Sequence, residues 1–200
     1  MPPVSTDLPQ PLSIPRVGII VGTTRPGRKA GQVARWVHGI AARRADASFE
    51  IVDLADFSLP HLDEPTPARG GEYRHAHTLA WAERIGTLDA FVFVTPEYNG
   101  SIPGVLKDAL DFLYAEWTGK DAGLVGYGIG GGKRAMDHLR YVLGNVRVIA
   151  VAEQVSLTFR DDFEEMTRLV PGRGRQGELV AMLDELVAAV GKSSGVVVEG

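Results

Sequence analysis

FVFVTPEYNGSIPGVLKDALDFL, residues 91–113, runs from a strand through a corner into a helix. Phe91–Thr95 is a short run of aromatic and β-branched residues without polar alternation, the pattern of a strand covered on both faces. Pro96 has no N–H to give a ladder and ends the run, while Pro103 suits a first helical turn. Between the prolines stand Glu97, Tyr98, Asn99 and Gly100. Asn99-Gly100 takes left-handed backbone readily, which turns amides outward. The corner can therefore present N–H groups and the Tyr98 ring to a flat heteroaromatic ligand, with Glu97 and Asn99 bracing it through local hydrogen bonds. A purely structural turn is the other reading, although a plain connection needs less stiffening.

The same strand-then-helix unit recurs along the chain. Apolar runs at Arg16–Val21, Phe49–Val52, Ala90–Thr95, Gly123–Tyr127 and Val146–Val151 alternate with other segments. Those segments show helical periodicity: Lys29–Arg44, Gly71–Thr87, Pro103–Tyr114, Lys133–Leu143 and Gln176–Val190. Alternation of this kind predicts right-handed crossovers and a parallel sheet with helices on both faces. Five units fit an α/β, flavodoxin-like, doubly wound five-stranded sheet of order 2-1-3-4-5 better than a six-stranded dinucleotide fold. In such sheets ligands sit beyond the carboxyl ends of the strands, near the point where strand order reverses. The loops after strands one, three and four are thus the ones to inspect. Residues 15–190 are the expected domain, with 1–14 as a disordered leader and 191–200 as a flexible tail.

Over 200 residues, 44% hydrophobic and 23% charged is ordinary for a soluble globular protein. The net charge of −4 gives no electrostatic reason to expect nucleic acid. No apolar run approaches the roughly 20 residues that cross a bilayer, so no membrane partner is expected. The leader has neither the basic start nor the apolar stretch of a signal peptide. There are no cysteines, which excludes disulfides, thiolate-held clusters and thiol nucleophiles and favours a cytoplasmic location. Any redox chemistry must then be carried by a bound organic cofactor.

After strand one comes GTTRPGRKAGQVARWV, residues 22–37. Gly22 allows a tight turn, Thr23 and Thr24 offer hydroxyls, Arg25 and Arg28 offer guanidinium groups, and a helix begins near Lys29. Hydroxyls, exposed amides, cations and a helix N-terminus together suit a phosphate dianion. The spacing is not that of a Walker A loop, and a capped helix start with solvated arginines is the plainer alternative. After strand four, GYGIGGGKRA (126–135) has the glycine content of a close backbone approach or a mobile lid. Gly126, Gly128 and Gly131 also match GxGxxG, with Glu153 about 20 residues on like a ribose-binding acid. That dinucleotide fingerprint normally opens its fold, and Lys133 and Arg134 stand where its helix would prefer small residues. The histidines carry less. His75 and His77, two apart, are expected on different faces of a helix, and neither a metal site nor a Ser-His-Asp arrangement is predicted.

With all three loops in view, the sequence resembles the NADPH-dependent FMN reductase family from about Arg16 to about Val190. PEYNGSIPGVLKDALDF is the most specific part, GTTRPGR matches the phosphate loop, and YGIGGGKRA stands in the place of the glycine-rich loop. LPHLDEP and YRHAHTLAWAERI are similar too. The resemblance implies bound FMN, with NADPH or NADH as co-substrate. It implies Thr23, Thr24, Arg25, Arg28 and Lys29 around the FMN phosphate, and Pro96, Glu97, Tyr98, Asn99 and Gly100 along the isoalloxazine and ribityl side. Gly128, Gly130 and Gly131 would approach the other edge of the ring. The chain departs from the family where Arg28 replaces a frequent serine, and where Asp108 and Phe112 replace Asn and Trp.

The implied chemistry is hydride transfer from nicotinamide to flavin N5 and on to a small acceptor: a quinone, azo compound, metal oxyanion or free flavin. The cofactor supplies the reactivity, so no catalytic side chain and no metal are expected. Backbone amides of the 96–100 corner or of the glycine loop would stabilise negative charge on the reduced ring. Arg28, Lys133 and Arg134 are candidates to favour a 2′-phosphate on the co-substrate. A non-catalytic flavin-binding electron carrier or redox sensor is the alternative. Ala109–Trp117 is read partly as a subunit interface, from its aromatic content, and the resemblance implies a homodimer or homotetramer.

Overall fold

In the computed structural model, which describes residues 14–193, the five apolar runs become one parallel sheet. Its strands are β1 (Arg16–Val21), β2 (Ser48–Asp53), β3 (Ala90–Pro96), β4 (Asp121–Gly128) and β5 (Ile149–Thr158). Their order is β2-β1-β3-β4-β5, as expected for the flavodoxin-like class. The helices are α1 (Ala30–Ala41), α2 (Ala76–Gly86), α3 (Gly104–Asp111), α4 (Lys133–Asn145) and α5 (Arg175–Ser193). The leader, apart from Ile14, lies outside the described residues; so does 194–200 of the tail, whose first three residues continue α5.

Period-two geometry distributes the core between two layers. Ala90, Val92 and Val94 of β3 face one side, where they meet Val33 and Val37 of α1 and Leu179 and Leu183 of α5. Phe91 and Phe93 face the other, against Trp81 of α2, Leu106 and Leu110 of α3 and Leu139 of α4. Every residue of β3 and β4 is buried, which explains their unbroken apolar runs. Gly18, Gly22 and Gly123 leave room in the same layers for Leu88, Leu106 and Met182.

Several expectations change. The aromatics of Ala109–Trp117 are core rather than interface: Phe112 and Trp117 are fully buried within the chain. Trp117 lies 4.9 Å from Phe91 and 5.9 Å from Trp81 between ring centroids, so the surplus fills the space between α2, α3 and the sheet. Helix α3 ends at Asp111, and partly exposed Tyr114 accepts a hydrogen bond from Arg69 Nη2 at 3.0 Å. The last strand starts at Ile149 instead of Val146 and continues to Thr158. Val146 instead ends α4, with its N–H on Leu143 O. Finally, a short hairpin, β6 (Phe163–Glu164) and β7 (Arg168–Leu169), follows β5 with no apolar run to announce it. The buried Asp162 carboxylate anchors it, accepting from Thr158 N, Gly172 N and Arg175 Nε at 2.8, 2.9 and 3.0 Å.

Strand β5 carries a bulge. Ala122 pairs with Ala150, yet Leu124 pairs with Gln154, so four steps on β5 oppose two on β4. The displaced groups find partners on the helices. Arg140 Nη1 donates to Ala150 O and Val151 O at 2.7 and 2.8 Å. Glu185 accepts from Ala152 N and Glu153 N at 3.0 and 2.8 Å, and these amides hold its carboxyl below the ordinary value. A lowered folded pKa stabilises the fold above the carboxyl range, and that contribution is lost as pH falls through the folded value. Glu185→Gln is therefore expected to lower stability by about 1–2 kcal/mol near neutrality. Urea midpoints in acid should bring variant and wild type together; a gap independent of pH would refute the assignment.

Candidate functional site

A cleft of about 800 Å³ lies beyond the carboxyl ends of β1, β3 and β4, where the strand order reverses. All three of the loops singled out by the sequence line it.

The corner after β3 is a tight hairpin. Tyr98 and Ser101 exchange N–H···O bonds at 2.9 and 3.0 Å, with Asn99 and Gly100 at φ 52° and 83° between them. Both central residues are left-handed, as the Asn-Gly pair predicts. The donor inventory is smaller than expected. Pro96 has no N–H, Glu97 N donates to Tyr127 O at 3.2 Å, and Tyr98 N is spent within the turn. Within 96–100 the amides of Asn99 and Gly100 are those left for a ligand.

Glu97 does more than brace its own corner. Its Oε1 accepts from Arg134 Nε at 2.8 Å and Nη2 at 2.5 Å, and its Oε2 from Arg134 N at 3.2 Å. The carboxylate thus caps α4 and ties the corner to the glycine loop. Ser101 Oγ adds a second tie, 2.5 Å from His138 Nδ1 on α4.

In the loop after β1, Thr23 is buried and its Oγ1 lies 3.1 Å from the Tyr98 hydroxyl, so it orients that phenol from below the cleft. Thr24 lines a separate cavity of about 210 Å³, with Leu54, Ser58 and Val105. Arg25, Arg28 and Lys29 line the main cleft. Arg25 is exposed, with Cζ 5.8 Å from the Tyr98 ring centroid. Arg28 is committed elsewhere, since its Nη2 is 2.5 Å from Asp53 Oδ2 at the end of β2. Of the three cations suggested for a 2′-phosphate, Arg28 and Arg134 both carry carboxylate partners.

Gly128 and Gly130 line the cleft, whereas Gly131 faces inward and its carbonyl accepts from Ser156 Oγ at 2.8 Å. Gly126 lies inside β4, and the Glu153 amide is held in the β5 bulge by Glu185. The dinucleotide-fingerprint reading therefore fails: its first glycine makes no turn. Tyr127, Ile129, Arg134 and Phe159 also line the cleft. The sequence hid Tyr127 as a strand residue and Phe159 beyond the expected end of the last strand.

Helix α2 begins at Ala76, so His75 is extended and its ring stacks on His77 with centroids 5.2 Å apart. The expectation of opposite faces fails because only one of the two is helical. His77 Nε2 pairs with Asp63 and His61 Nδ1 with Asp108, each at 3.0 Å. Among the described residues no three such side chains are grouped to hold a metal.

A family model described as NADPH-dependent FMN reductase matches residues 15–162. This chain belongs to that family. Among FMN reductase relatives, a protein named NAD(P)H-dependent FMN reductase from Schizosaccharomyces pombe is 39% identical over 150 residues, 74% of this chain and 75% of its own. A quinone reductase from Escherichia coli is 34% identical over 137 residues, 64% of this chain and 69% of its own. The flavoenzyme NAD(P)H:(acceptor) oxidoreductase of Paracoccus denitrificans shares the fold, with a TM-score of 0.67 at 22% identity, covering 90% of this chain and 99% of that one.

Proposed function

We propose that this chain is an FMN-dependent NAD(P)H oxidoreductase that reduces a small acceptor of the quinone or azo class. The observation that carries the reading is the cleft itself. One end has Arg25 and Lys29 at the start of α1, where an anion is favoured by charge and by free helix amides. The other end is walled by Pro96, the hairpin at Asn99-Gly100 and the side-chain-free Gly128 and Gly130. A basic end and a flat, stiff, amide-bearing end fit FMN, and the volume lies in the range of small-molecule sites.

When bound, FMN supplies the hydride-accepting and hydride-donating chemistry. The chain's residues supply position. Arg25, Lys29 and the first amides of α1 hold the phosphate, with Thr23 fixing Tyr98 beneath. The Asn99 and Gly100 amides face the ring, in a corner locked to α4 by Glu97 and Arg134. Such locking matters because donors misplaced by about 1 Å can cost about a hundredfold in rate. The quinone and azo acceptors are inferred from relatives named quinone reductase and FMN-dependent NADPH-azoreductase. We further infer a cytoplasmic homodimer or homotetramer. The absence of cysteine supports the location, and the family membership supports the assembly.

The purified protein is expected to show two visible flavin bands and to release FMN on heating, identified by mass. NAD(P)H oxidation with a quinone and an azo dye should then be multiple-turnover. A flavin-loaded protein that turns over neither acceptor would make it a carrier; a protein that takes up no FMN would remove the reading altogether.

A further inference from the structure

Tyr127 stands at the end of β4 in the cleft wall and is 3% exposed. Its ring is clamped by Phe159 and Phe163, each 6.2 Å away between centroids. Its hydroxyl lies beside the start of α1, near the backbone of Lys29 and Ala30. A helix leaves its first amides without internal partners, and α1 offers them little else. The Lys29 cap makes no side-chain hydrogen bond and the first turn contains no acid. Nearby Arg28 is already occupied by Asp53.

A tyrosine oxygen can accept from amides while its proton donates to something else. Burial pushes the titration of this phenol upward, so it stays protonated and remains a donor near neutrality. A rigid O–H at a basic helix start that lacks an acid is matched by an anionic oxygen in the cleft.

We propose that Tyr127 is a specificity-determining residue: its hydroxyl donates to the 5′-phosphate of the flavin and so selects FMN over riboflavin. The proposal rests on the flavin reading above.

The test titrates flavin-free wild-type protein and Tyr127→Phe with FMN and with riboflavin, following quenching of flavin fluorescence. Phenylalanine keeps the ring and its contacts with Phe159 and Phe163. The Kd for FMN is expected to rise about tenfold, or about 1.4 kcal/mol, with the Kd for riboflavin unchanged. An unchanged Kd for FMN overturns the proposal. So does an equal loss for both flavins, which would assign Tyr127 to packing. Wild-type protein that binds both flavins equally tightly sinks the selection while leaving the flavin reading intact; binding of neither sinks both.

Discussion

Gly132→Ala is expected to cost about 4 kcal/mol of stability, a large fraction of the margin of an ordinary domain. Two independent effects add. Gly132 is the N-cap of α4 at φ 72°, a conformation that side-chain-bearing residues adopt only with strain. A Cβ there would also stand 2.6 Å from Tyr127 N and 2.8 Å from Gly126 C. Both are backbone atoms of a central strand, so neither can rotate away. Gly130→Ala is the matched control, because a Cβ at that position meets nothing within 4 Å. Thermal melts should drop by about 10 °C for Gly132→Ala and hardly move for Gly130→Ala. Equal melting of the two variants would contradict the close approach of the glycine loop to β4.

The contrast between those neighbours marks what the sequence could and could not tell. Three successive glycines read only as closeness to something. The structure divides them: Gly130 is open to the cleft, Gly131 faces Ser156, and Gly132 touches the β4 backbone. The sheet order was legible because β3 and β4 are buried on both faces and so lack polar interruptions. Strand β5 is an edge with a bulge whose polar groups are satisfied by Arg140 and Glu185, far along the chain. No local pattern records such a partner. The same holds within the site. Asn99-Gly100 announced its own left-handed turn, since that property belongs to the two residues. Glu97 looked local yet reaches Arg134, and Arg28 looked free yet is held by Asp53. Charge partners are tertiary facts, and the availability of a cation is decided by them.

Availability favours Arg25 and Lys29 over Arg28, and Arg25 is the more exposed of the two. It lies in the cleft wall, exposed, beside the Tyr98 ring, and among the described residues no carboxylate lies within ion-pair distance of it. Its charge is therefore uncompensated until an anion arrives. Arg25→Ala is expected to raise the Kd for FMN by about 10- to 100-fold, the range for losing a hydrogen bond to a charged group. Riboflavin, which has no phosphate, should bind the variant as it binds the wild type. Arg25→Lys should recover part of the loss, because an ammonium keeps the charge but not the fork of donors. The salt dependence of FMN binding should also be shallower in Arg25→Ala, since one of the charges that salt screens has gone. Arg28→Ala acts by a different route: it uncovers Asp53 beside the anion, so adding Asp53→Asn should restore affinity. An unchanged FMN Kd in Arg25→Ala would refute the phosphate-loop assignment.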